Sequence, residues 1–69
     1  MSFQRRKVIR SLVARGFVLY REGGEHTIYR GPAGELCPVP RHREIQRGTA
    51  RSIAAQAKVP WPQFQREIV

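Results

Sequence analysis

The stretch "GFVLYREGGEHTIYRGPAGELCPVP", residues 16–40, decides how this chain folds. It holds three short runs of aromatic, β-branched and other apolar residues, separated by two glycine-bearing breaks. Runs of this length and composition read as strands. Phe17 to Glu22 is the first, Glu25 to Arg30 the second and Glu35 to Pro40 the third. Gly23-Gly24 reads as a two-residue hairpin turn that uses the positive φ glycine tolerates. Gly31 to Gly34 reads as the second turn. Pro38 has no N–H to give to a ladder, so the third strand belongs at a sheet edge.

Outward from this meander the pattern turns helical on both sides. Val8, Ile9, Leu12 and Val13 fall on one face at helical spacing. Ser2 is placed to cap that helix, which runs to about Arg15 and stops at Gly16. Residues 41–46 form a basic connection. Ala50, Ile53, Ala54 and Ala57 give a second helix, from about Gly48 to Lys58, with Arg47, Arg51 and Lys58 as a cationic stripe beside its apolar face. Pro60 ends it. Trp61 to Ile68 reads as a short last helix, with Pro62 tolerated in its first turn. The fold class is therefore α+β: helix, three-stranded antiparallel sheet, helix, and a short C-terminal helix. The 69 residues are enough for one small domain with a thin core, spanning 1–69.

Charge is the main compositional signal. Thirteen Lys and Arg against five Glu and no Asp give a net +8, and eleven of the thirteen are arginine. Arginine matches phosphate through its planar fork, so the balance points to a polyanion such as nucleic acid. No stretch approaches the ~20 apolar residues of a membrane span, and nothing reads as a signal peptide. Neither longer helix pairs a basic face with a large aromatic one, which argues against a membrane surface. The one cysteine, Cys37, cannot close an internal disulfide, and no Cys/His spacing suggests zinc. A reducing cytoplasm is the expected location, and no cofactor is expected.

The hairpin turns imply a register. A Gly23-Gly24 loop sets Arg21 opposite His26, Leu19 opposite Ile28 and Phe17 opposite Arg30. A 31–34 loop sets Cys37 opposite Ile28 and Val39 opposite His26. Opposed residues share a face. Phe17, Leu19, Ile28, Cys37 and Val39 then form the core face, and His26 and Arg21 lie at its rim beside Val39. Arg41, His42 and Arg43 leave the third strand at that end, and Arg47 opens the next helix. His26 is expected to be ringed by Arg21, Arg41, Arg43 and Arg47. Glu22 and Glu25 are expected to oppose each other across the turn. From spacing alone, His26 reads either as a polar residue finishing a hairpin or as a catalyst.

The order and spacing of Gly16-Phe17, Gly24-Glu25-His26, Tyr29-Arg30-Gly31-Pro32-Ala33-Gly34, Val39-Pro40-Arg41-His42 and Gly48-Thr49 resemble the HicA toxins of toxin–antitoxin systems, from Lys7 to about Phe64. The resemblance implies a fold similar to the double-stranded-RNA-binding domain and an mRNA interferase activity. It also implies a HicB-type antitoxin as partner. The family's catalytic histidine stands in Gly-Ser-His and corresponds to His26. Glu25 replaces the small Ser, and Pro38 replaces an ordinary strand residue. A histidine near its unperturbed pKa of ~6.5 can take and give a proton at neutral pH. RNA brings its own nucleophile, the 2′-hydroxyl, so the expected reaction is metal-independent. Arg21, Arg41, His42, Arg43, Arg47 and Arg51 are the expected RNA contacts. His42 also reads as an exposed loop histidine, and Arg47 and Arg51 read first as phosphate contacts and otherwise as contacts for an acidic antitoxin. Tyr20 and Tyr29 read as partly buried strand aromatics or as a base-stacking platform. Trp61 and Phe64 read as core for the tail, and Cys37 as a small core residue. A non-catalytic nucleic-acid-binding module and a degenerate toxin of the same fold remain the alternatives.

Overall fold

The computed structural model describes all 69 residues. The order is β1 (Ser2–Gln4), α1 (Arg5–Ala14), β2 (Val18–Glu22), β3 (His26–Arg30), β4 (Leu36–Pro40), β5 (Glu44–Gln46), α2 (Arg47–Gln56) and α3 (Trp61–Ile68). The three-stranded sheet runs β2-β3-β4, so β4 with its Pro38 is an edge strand as its composition predicts. The helix–sheet–helix order and the C-terminal helix match the sequence reading and are consistent with the double-stranded-RNA-binding arrangement.

Two short segments depart from it. Ser2–Gln4 does not begin α1 but forms β1, antiparallel to β5, with Phe3 opposite Ile45. Both side chains are buried, and Ser2 Oγ hydrogen-bonds to the Glu44 carboxylate. Burying Phe3 against Ile45 outweighs one more turn of an N-terminal helix that has no side-chain cap. The Arg5 amide instead donates to the Arg43 carbonyl at 2.9 Å. The basic connection 41–46 thereby becomes in part a strand, and α2 follows it directly.

The helices cover one face of the sheet. Val8, Leu12, Ala50, Ile53, Ala54, Phe64 and Ile68 join Phe3, Phe17, Cys37, Val39 and Ile45 in one core. The α2 face Ala50-Ile53-Ala54-Ala57 is buried as the spacing predicts, but Val13 is exposed. Its place toward the core is taken by Ser11, whose hydroxyl donates to Glu67 at 2.7 Å. Gly16 ends α1 at φ +89°, a conformation that strains any side chain. Gly31 is required for another reason: a Cβ there would stand 2.7 Å from Phe17 Cζ.

The strand register differs from the one the turns imply, for two local reasons. The first hairpin reverses at Gly24-Glu25, with the Gly23 amide donating to the His26 carbonyl at 2.8 Å. Neither Gly23 nor Gly24 takes a positive φ. Glu22 faces Thr27, Arg21 faces Ile28, and an irregularity between Leu19 and Arg21 then sets Leu19 opposite Tyr29. Tyr20 is the extra residue of this bulge. The second hairpin closes with Gly31 paired to Glu35 around a three-residue loop, with Gly34 at φ +89°. That shorter loop shifts β4 by one residue: Thr27 faces Val39, Tyr29 faces Cys37 and His26 faces Pro40. A one-residue shift exchanges the faces of a strand. Thr27, Tyr29, Cys37 and Val39 therefore face the helices, and Leu19 and Ile28 are not core.

Candidate functional site

His26 is the first residue of β3, and it is exposed. Thr27, its neighbour in sequence, is buried toward the helices, so alternation turns His26 to the uncovered face. There it stands opposite Pro40 and not, as the turn lengths suggested, beside Val39. Arg21 pairs with Ile28 and shares that face, so the structure keeps Arg21 and His26 on one side of the sheet. Arg41 leaves β4 at the same end, its amide donating to the Glu25 carbonyl at 3.1 Å.

The electrostatics of this end differ from an open ring of cations. Glu22 does not oppose Glu25. It faces Thr27 on the helix side and forms an ion pair with Arg41. Thr27 Oγ1 donates to the same Glu22 oxygen at 3.0 Å. It also receives Arg5 Nη2 at 2.9 Å, while Arg5 Nε bonds the Pro40 carbonyl at 2.8 Å. Arg5 thus ties the start of α1 to both strands that carry the His26 end. Its position in the first turn gives no sequence signal beyond a generic basic residue, because both partners are distant in the chain. Charge-assisted bonds of this kind are stronger than neutral ones. They fix the backbone under His26 without touching its ring.

Arg41 therefore shares its charge with Glu22, whereas Arg21 and Arg43 make no ion pair. His42 and Arg43 are exposed in the turn between β4 and β5. Arg43 lines an open cleft of about 630 Å³ with Gln4, Arg5, Arg6, Ile9 and Glu44. Arg47 and Arg51 belong to α2, which packs on the helix side of β4, where Ile53 O accepts from Cys37 Sγ at 3.9 Å. The Arg51 guanidinium lies 5.9 Å from the Trp61 ring centroid. The structure brings His26, Arg21 and Arg41 to one end of the sheet and leaves Arg47 and Arg51 on α2, on the helix side.

Cys37 in the core and Glu67 on α3 have shifted acidities. Burial, followed by the charge of Glu35, pushes the Cys37 thiol up to about 11, which makes it inert as a nucleophile at neutral pH. Hydrogen bonds from Arg15 and then Ser11 lower Glu67 to about 2 and clamp α3 to α1. No helix is long and apolar enough to cross a membrane.

Comparison with curated proteins yields no match. The family model described as the HicA toxin of bacterial toxin–antitoxin matches residues 5–59, from the first residue of α1 to Val59, between α2 and α3. That stretch contains the whole sheet, His26 and every candidate contact residue, and the chain belongs to the HicA toxin family.

Proposed function

We propose that residues 1–69 form a single endoribonuclease domain that cleaves mRNA without a metal, using His26. The observation that carries this reading is the placement of His26, exposed at a strand end, on the sheet face that no helix covers, with Arg21 on the same face. A phosphodiester can reach that imidazole without any rearrangement of the core. His26 takes the proton of the 2′-hydroxyl, O2′ attacks phosphorus, the P–O5′ bond breaks, and the leaving O5′ takes a proton from water. The products carry a 2′,3′-cyclic phosphate and a 5′-hydroxyl. Charge gathers on the phosphoryl oxygens as O2′ attacks, and Arg21, which shares the His26 face, is the cation to offset it, with Arg41 and Arg43 leaving the sheet at the same end. Arg47, Arg51 and His42 extend the basic surface along which RNA tracks.

The family supplies the second half of the proposal. A toxin of a toxin–antitoxin pair has an antitoxin, here one of the HicB type acting in the cytoplasm. Acidic groups on it would meet Arg21, Arg41, Arg43 and Arg47 and speed its association with the His26 end.

The decisive experiment is induced expression of wild type and His26→Ala, with growth followed and RNA cleavage measured on the purified chains. General acid–base groups contribute ~10²- to 10⁴-fold in rate. His26→Ala is expected to lose at least that much and to abolish toxicity. Because His26 is exposed, its melting temperature should match wild type within a few degrees. EDTA should leave wild-type cleavage intact. A folded His26→Ala chain that cleaves as fast as wild type refutes the assignment. Glu25 stands in the turn beside His26 and adds negative charge where a phosphate must approach. A wild-type chain that binds antitoxin but neither arrests growth nor cleaves RNA would identify a degenerate toxin.

A further inference from the structure

The uncovered sheet face carries more than His26. Val18, Tyr20 and Leu36 are 61%, 55% and 50% exposed. Large apolar groups gathered on one face of a small chain mark an interaction surface. Tyr20 is the bulged residue of β2, and the Arg30 guanidinium lies 5.6 Å from its ring centroid. The ring is thus held by a cation on one side and remains open over more than half its surface. Arg30 and His26 are four residues apart on β3, and both face away from the helices. At ~3.3 Å per residue the Tyr20–Arg30 pair lies roughly 13 Å along the strand from His26.

Charge and shape decide the occupant. Arg21 and Arg30 are the formal charges that β2, β3 and β4 place on this face, since Glu22 turns to the helix side. The two concavities of the molecule lie elsewhere, around β1 and the start of α1, the second of them bounded by Met1, Lys7 and Val69. Protein hot spots cluster in well-packed pockets. A cationic face with an open aromatic ring suits bases, which stack on such rings whatever their sequence. A duplex keeps its bases stacked on one another, so only unpaired nucleotides can use the ring.

We propose that this face binds single-stranded RNA, with one base stacked on Tyr20 against Arg30 and the strand running across Arg21 to His26. The proposal rests on the RNA-cleaving reading and adds the form of the substrate: unpaired RNA, gripped a short distance from the bond that is cut. Tyr20 and Arg30 are binding residues, with no part in the proton transfers.

The test uses the full chain with His26→Ala, so that RNA survives the measurement. Binding of a fluorescein-labelled, unstructured RNA oligonucleotide is followed by anisotropy at fixed salt. Adding Tyr20→Ala is expected to weaken binding about 5- to 150-fold, the range for losing one stacked base. Tyr20→Phe and Tyr20→Trp should bind like the parent, and Arg30→Gln should weaken binding by itself. The same RNA annealed to its complement should bind equally well with and without Tyr20→Ala. In the cleaving chain, Tyr20→Ala should raise KM and leave kcat nearly unchanged. A folded Tyr20→Ala chain with unaltered single-strand affinity overturns the proposal. So does a loss confined to antitoxin binding, which would assign the face to the protein partner. Tyr20-dependent binding by a wild-type chain that never cleaves supports the platform and sinks the ribonuclease. Cleavage that depends on His26 and ignores Tyr20 does the reverse.

Discussion

Phe64 offers the sharpest test of how the thin core is held. It lies on α3, beyond the residues the family model matches, yet it is fully buried. Its ring packs 6.4 Å from Trp61, and the Arg15 guanidinium lies 5.9 Å from its centroid. Truncating a buried phenylalanine to alanine costs about 3–5 kcal/mol, the lost transfer energy plus the cavity left behind. A 69-residue chain has ~3–10 kcal/mol of total stability at ordinary values per residue. Phe64→Ala therefore removes at least about 30% of the stability and at the upper limit all of it. At ~4–8 °C per kcal/mol for a domain of this size, the melting temperature falls by about 12–40 °C. Thermal and urea melts followed by circular dichroism read this directly. The variant should also lose toxicity, but by unfolding, in contrast to His26→Ala. If Phe64→Ala melts cooperatively within a few degrees of wild type, α3 is an appendage and the core argued above is wrong.

Two further predictions concern the perturbed groups. Glu67 is lowered to about 2 by Arg15 and Ser11, so its contribution to stability is fully present above the ordinary carboxylate value of 4.5 and is lost as pH falls toward 2. Urea midpoints measured between pH 7 and pH 2.5 should fall over that window, and Glu67→Gln should remove that part of the decline; an unchanged pH profile would show that the clamp does not form. The Cys37 thiol, fully buried and pushed up to about 11, should resist iodoacetamide in the native chain at pH 8 and react once urea unfolds it. Rapid stoichiometric labelling without denaturant would place Cys37 outside the core.

Local patterns were read correctly for α2 and α3, whereas helical spacing also put Val13 on the core face of α1, where it is exposed. The α2 stripe Ala50-Ile53-Ala54-Ala57 is buried because helical spacing alone puts those residues on one face. Pro60 and Pro62 mark the start of α3 for the same reason. The β1–β5 pair was illegible because each strand is only three residues long and Ser2 meets Gln46 across most of the chain. No periodicity shows in three residues, and Phe3 fits a helical face as well as a strand. The register failed at three backbone details: the first turn reverses at Gly24-Glu25, Tyr20 forms a bulge, and the second loop has three residues closed by Gly31 and Glu35. Each detail changes which side chains meet, and only the tertiary fit chooses between turns that the same glycines permit.

The site shows how such a detail reaches function. Residue type and position identify His26 from the sequence, but its face depends on where β4 sits. With the four-residue loop it would share the core face with Val39 and lie at a partly buried rim. With the three-residue loop it stands on open sheet beside Arg21, and Val39 goes to the core with Thr27. The same shift brings Thr27 under α1, where Arg5 and Glu22 bind its hydroxyl and Glu22 draws Arg41 inward. One loop residue thus separates two tasks. Arg5 and Arg41 brace the strand ends from the helix side, Arg5 through part-buried bonds to Thr27 and Pro40 and Arg41 through an exposed pair with Glu22. Arg21 and Arg30 are left on the other side, in water and without an ion-pair partner, and that is where a phosphate backbone gains most from meeting them.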